Sequence, residues 1–254
     1  MKSKVIFRSI AALCALVCVI SLCQVIRIGY EYKQGEQEYS ELADLLVSKA
    51  DNSLYVSQKE ASASGAPVDV DFDLLRQMNA QAVGWLYCEG TPINYPVVQS
   101  EDNSYYLNHL YDDQKNSSGA IFMDALNSPD LSDANTIIYG HNMKNGTMFA
   151  SLQNYDMQSY YEQHPVMYYI TKEHDYRIDI FASYETSGDS EAFTMFFDSP
   201  QTYDGYLQRI WAKSRIDTSE LPMSVDDNII TLTTCSYSFN NARYVVQGKI
   251  TQLN

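Results

Sequence analysis

One stretch of this chain cannot stay in water. Residues 10–26, IAALCALVCVISLCQVI, are apolar at every position except Ser21 and Gln24. With Val5, Ile6, Phe7 and Ile28 added, the segment reaches the roughly 20 residues that cross a bilayer as a helix. Lys2, Lys4 and Arg8 precede it. The positive-inside rule then predicts a cytoplasmic N-terminus and residues 31–254 on the outer side. A cleaved signal peptide is the rival reading, but no small-x-small site closes the run. Nor does a small residue precede Cys18 or Cys23, as lipid modification would want, since Val17 and Leu22 stand there. The reading is an uncleaved signal anchor over residues 1–30. Cys14, Cys18 and Cys23 are then small apolar residues within the membrane.

The rest of the chain is acidic. The first 30 residues hold four bases and no acid, which leaves 13 bases against 32 acids, a net charge of −19 for the remainder. Nucleic acid demands lysine and arginine, so it is excluded as a partner. Outside the anchor only Cys88 and Cys235 remain, too few for a disulfide-stapled domain. Either the two pair with each other, or at least one stays a thiol for a reason.

Residues 30–50 are polar, with Leu42, Leu45, Leu46 and Lys49 at helical spacing, and predict a juxtamembrane helix lifting the domain off the lipid. ASASGAP at 61–67 reads as a linker, so the body proper runs over 68–254. Asp69, Asp71 and Asp73 alternate as in a calcium loop, but Leu74 and Ala80 occupy the places of its glycine and closing glutamate. Capping of a helix over 72–82 explains them, and no metal site is read there. Short strands follow at 84–87, 93–99, 119–123 and 136–139. A hairpin is expected from 166–171 and 176–184, and the last strands from 228–234 and 243–251. Helices fit 147–152 and 200–213. Twenty-one tyrosines and nine phenylalanines favour such strands. The fold class is mainly β, a barrel or sandwich with inserted helices.

The C-terminal stretch TLTTCSYSFNNARYVVQGKI carries the chemistry. Alternation puts Thr231, Thr233 and Cys235 on one face of a strand, and Arg243, Val245 and Gln247 on one face of the next. Antiparallel pairing would oppose Cys235 and Arg243, with Cα atoms about 4.5–5.5 Å apart. A guanidinium there stabilises a reactive thiolate and can donate to an oxyanion. A thiol nucleophile needs a proton carrier. His109 and His164 lie in polar loops and His174 in a hairpin turn, whereas His141 follows a short apolar strand ending in glycine.

TLTTC at 231–235, Arg243 at the head of the next strand and YGHNM at 139–143 together resemble a sortase, a membrane-anchored cysteine transpeptidase of Gram-positive bacteria. The resemblance covers residues 72–250. VGWLYCEGTPINYPVVQSEDNSYYL (83–107), GAIFMD (119–124) and the helix-bearing insertion resemble class B in particular. It implies an eight-stranded barrel with N-terminal helices and a helix inserted between the sixth and seventh strands. It implies Cys235 as nucleophile, His141 as proton donor and acceptor, and Arg243 as oxyanion stabiliser. Thr233, at the variable place of the signature, either touches substrate or serves the strand surface. Specificity is expected in the cleft walls, including the insertion at 187–224. The implied partners are secreted proteins with a C-terminal sorting motif, cleaved after threonine, and a cell-wall peptidoglycan amine that accepts the acyl group. The alternatives are a pilin-polymerising sortase, a cysteine peptidase that only hydrolyses, and a surface module in which Cys235 is merely buried. Pilus-type enzymes often carry a second, C-terminal span, and residues up to Asn254 hold none.

Overall fold

The computed structural model describes residues 2–49 and 65–253, so most of the expected linker lies outside the described residues. The first element, α1 (Lys2–Leu46), is one continuous helix, where the sequence suggested an anchor and a separate juxtamembrane helix. It is long and apolar enough to cross a membrane. At 1.5 Å per residue it spans about 68 Å, over twice the ~30 Å of hydrocarbon in a bilayer. The surplus does not stand away from the domain. Tyr39, Leu42 and Leu46, one helical stripe, are buried in the main core, while Leu45 faces solvent. Residues 47–49 leave the helix and form β1 (Val47–Lys49), antiparallel to β2 (Val68–Val70).

Helix α2 (Phe72–Met78) begins where Asp71 accepts a 2.9 Å hydrogen bond from the Leu74 amide. It stops before the expected residue 82, because Asn79 turns extended and its buried side chain donates to the Tyr106 hydroxyl and the Tyr111 carbonyl. The chain then enters a closed barrel of eight strands. They are β3 (Ala82–Tyr87), β4 (Asn94–Val98), β5 (Ile121–Met123), β6 (Asn135–Tyr139), β7 (Val166–Ile170), β8 (Asp175–Ser187), β9 (Ile229–Cys235) and β10 (Ala242–Gln252). Their order around the wall is β10-β8-β7-β3-β4-β5-β6-β9, so every edge is paired. Two pairs are parallel, β4 with β5 and β6 with β9. The long β8 and β10 bend at a bulge between Gln247 and Gly248. A Cβ at Gly248 would meet Ile178 Cγ2 at 2.2 Å, so the two strands can approach there only over a glycine.

A 3₁₀ segment at Ala150–Asp156 stands near the short helix expected over 147–152, and α3 (Gln158–Gln163) follows it unforeseen. Helix α4 (Pro200–Lys213) lies between the sixth and seventh barrel strands, as the resemblance implied. Ser199 and Thr202 cap it reciprocally and Pro200 opens it.

The alternation in β9 sorts the core into two bodies. Ile230 and Leu232 join the main cluster with Trp85, Leu86, Tyr244 and Val246. Ile229, on the opposite face, packs with Val245 and with Tyr203, Tyr206, Leu207 and Ile210 of α4. The helix therefore packs on the outer side of the wall at the start of β9, on the face on which Cys235 is the last residue.

Candidate active site

Strand register assembles the site. Cys235 and Arg243 are direct partners across the β9–β10 ladder, as the alternation predicted. Strand β6 runs parallel to β9 on its other side, with Tyr139 opposite Thr233, and the Gly140 amide donates to the Thr233 carbonyl at 3.1 Å. Two residues on, His141 comes alongside Cys235, and the Asn142 amide group donates to the Cys235 carbonyl at 2.8 Å. Thus three strand ends, β6, β9 and β10, bring His141, Cys235 and Arg243 to one rim. All three are partly exposed.

Each side chain has a distinct restraint. Nε2 of His141 lies 2.6 Å from the Leu107 carbonyl. A carbonyl only accepts, so Nε2 carries the proton and Nδ1 is left for other partners. The His141 carbonyl accepts from the Phe149 amide at 3.0 Å. Arg243 donates one Nη1 hydrogen bond to the Ala242 carbonyl at 3.0 Å. Nearby, Tyr139 donates to Asp124 at 2.8 Å. Burial and that carboxylate push its phenol well up, and the Arg243 charge opposes them.

The remaining cysteines and histidines occupy other settings. Cys88 is 1% exposed with Sγ 3.8 Å from the Tyr155 hydroxyl, and burial pushes its thiol up. No pair is formed, since all five cysteines are free. His109 stacks on Tyr105 at 4.2 Å, and His164 Nδ1 lies 3.0 Å from the Glu89 carbonyl. Thr233 is 1% exposed, on the Cys235 face, and its hydroxyl has no partner among the described residues. Its side chain is thus enclosed within the wall beside the rim.

Two features of the site escape sequence reasoning. Glu185 on β8 accepts hydrogen bonds from Ser236 and from Ser238 (2.6 Å), pinning the turn after Cys235. Those hydroxyls hold its carboxyl below the usual carboxylate range. The Ser236 amide donates to the Ala242 carbonyl at 3.0 Å, so the backbone N–H just after the thiol is already committed. The second feature is a buried polar network under the insertion. Asn135 donates to the Thr194 carbonyl (2.9 Å) and accepts from Thr231 (2.8 Å). Gln247 donates to Thr231 (2.8 Å) and Tyr206 (3.2 Å) and accepts from Tyr184 (3.1 Å). The network fastens α4 and its approach to the barrel wall beside Cys235. Most of these bonds join residues some 40–100 positions apart, and no local pattern announces them.

A closed eight-stranded barrel with thiol, imidazole and guanidinium on one rim defines a class, the cysteine transpeptidases built on a β-barrel. The family model of the Sortase domain matches residues 86–251. Sortase B of Listeria monocytogenes is 39% identical over 228 residues, covering 88% of this chain and 89% of that protein. The Staphylococcus aureus sortase B–substrate complex superposes with a TM-score of 0.69 at 34% identity, covering 72% of this chain and 85% of that one. A crystal structure of sortase B complexed with triglycine gives 0.69 at 35% identity, covering 72% and 86%. The chain belongs to the sortase family, and its relatives are sortases B.

Proposed function

We propose that this sortase is held in the membrane by α1, with its barrel on the outer side, and joins secreted proteins to the cell wall. Lys2, Lys4 and Arg8 before the apolar run support that orientation. The thiolate of Cys235 attacks the carbonyl that follows threonine in a C-terminal sorting motif. The tetrahedral oxyanion takes hydrogen bonds from the Arg243 guanidinium. As it collapses, His141 in its imidazolium form gives the Nδ1 proton to the departing amine. The acyl group now rests on Cys235 as a thioester. A cell-wall amine attacks that thioester, His141 takes its proton, and an amide leaves with the thiolate restored. Each step conserves its protons, and none calls for a metal or organic cofactor. The substrate and triglycine complexes of related sortases B support an amine acceptor by likeness, since the tripeptide offers a free amino group.

The observation that carries this reading is the direct opposition of Cys235 and Arg243, with His141 one strand away. The test is a peptide-library cleavage assay with and without triglycine, read by mass spectrometry. The wild-type chain is expected to form the ligated product, and Cys235→Ala and His141→Ala to lose both cleavage and transfer. Hydrolysed product alone at saturating amine would make this a peptidase. Turnover by Cys235→Ala would end the reading.

A further inference from the structure

The docked half of α1 touches both loops that seat His141. On one side, the Tyr39 hydroxyl donates to the Gly119 carbonyl at 2.8 Å, and Asn116 donates to the Glu31 carbonyl at 3.0 Å. Gly119 has φ +59°. A Cβ there would sit 3.1 Å from Cδ2 of His141 and 3.0 Å from the Leu107 carbonyl, the acceptor of His141 Nε2. The Gly119 backbone thus passes so close to the imidazole and its partner that no side chain fits between them. On the other side, the ring of Tyr39 meets Tyr95 edge-to-face at 5.3 Å. The Tyr95 hydroxyl accepts from the Met148 amide at 3.0 Å, and Met148 bridges to Asn142, the residue after His141. The helix backbone itself approaches closely: a Cβ at Gly35 would lie 2.6 Å from Ser118 Oγ. A glycine inside a helix weakens it, and here it lets the helix lie against the loop.

We propose that Tyr39 is a positioning residue for the transpeptidation, and that residues 31–46 of α1 belong to the frame of the active site. The inference rests on His141 being the proton carrier. Tyr39 is 4% exposed, held between Tyr95 and Tyr111, and its one hydroxyl fixes the Gly119 peptide on which the imidazole rests. Because α1 is continuous, the apolar segment runs without a break into the contacts that seat His141.

The experiment uses the full chain in detergent micelles, a sorting peptide and triglycine. Tyr39→Phe keeps the ring packing and removes the hydroxyl, with its bond to the Gly119 carbonyl and its contact with the Tyr111 backbone. Its kcat is expected to fall on the order of tenfold, because small misplacements of a catalytic group are costly. KM is expected to stay within about twofold, since substrate contacts are untouched. The rate of Cys235 alkylation should be unchanged, and the imidazole ¹⁵N resonances of His141 should shift. Asn116→Asp keeps the acceptor for the Ser118 amide but opposes the Glu31 carbonyl, and should lower kcat in the same sense. A Tyr39→Phe enzyme with wild-type kcat and unmoved His141 resonances overturns the inference. So does a loss in both variants that merely follows the melted fraction, with His141 unmoved in the folded remainder. His141→Ala separates the two levels: if it is inactive while Tyr39→Phe is normal, only the role of Tyr39 falls. If His141→Ala retains turnover, the proton-carrier reading falls and takes this one with it.

Discussion

Replacing Arg243 by lysine measures how much of the transition state rests on one side chain. The amide after Cys235 donates to Ala242 at 3.0 Å and is not free to share the oxyanion. One Nη1 hydrogen bond of Arg243 is likewise spent on Ala242. On the proposed mechanism the remaining donors of the planar fork carry the developing charge. Removing one such donor costs about 10²–10³ in kcat, or about 2.7–4 kcal/mol. Lysine keeps the charge and loses the fork. Arg243→Lys should therefore fall about 10²-fold and Arg243→Ala about 10³-fold, at about 1.4 kcal/mol per decade. Initial rates on a fluorogenic sorting peptide give kcat and KM, and the alkylation rate of Cys235 gives the loss of thiolate separately. An Arg243→Lys enzyme within about threefold of wild type would refute the oxyanion assignment, because a point charge would then suffice.

Further outcomes follow from the same geometry. In the folded protein a thiol reagent should titrate Cys235 and leave Cys88 untouched, since burial disfavours the Cys88 thiolate; equal rates would contradict this. Leu42→Ala should cost about 2–5 kcal/mol, read as a lower unfolding midpoint, because it empties a buried site between helix and barrel. A purely surface-lying helix would lose almost nothing. Glu185 has its carboxyl pKa lowered in the fold, so it stabilises the turn above its unfolded value of about 4.3, and that contribution is lost as pH falls through the lower folded value. Amide protection in residues 236–241, measured against the intrinsic exchange rate at each pH, should fall on acidification below about pH 4, and Glu185→Gln should abolish that dependence. The same acid limb in both proteins would speak against the clamp.

Much of the site was legible because its parts are local. The alternation in β9 and β10 fixed which side chains share a face, so Cys235 and Arg243 could be opposed from the pattern alone. The place of His141 just past a short apolar strand marked it out, and the resemblance of YGHNM to the sortase motif implied its role. The barrel's strand segments and α4 were legible from period-two and helical spacing. The end of α2 was misread because Asn79 is claimed by Tyr106 and Tyr111 from far along the chain. Alternation also places Thr233 on the Cys235 face but says nothing of its burial, which packing decides.

The sequence by itself determined a span that must leave water, a body of short strands, and a thiol and guanidinium at matched positions on adjoining strands. These follow from periodicity and from the cost of exposing apolar surface, both of which act over a few residues. Only the tertiary structure decided that β6 runs beside β9, that Glu185 holds the turn after the thiol, and that α1 continues unbroken onto the barrel and touches the seat of His141. Those contacts depend on strand register and on burial against distant partners. Tyr39 and Gly119 are separated by 80 positions, and nothing local to either encodes the hydrogen bond between them.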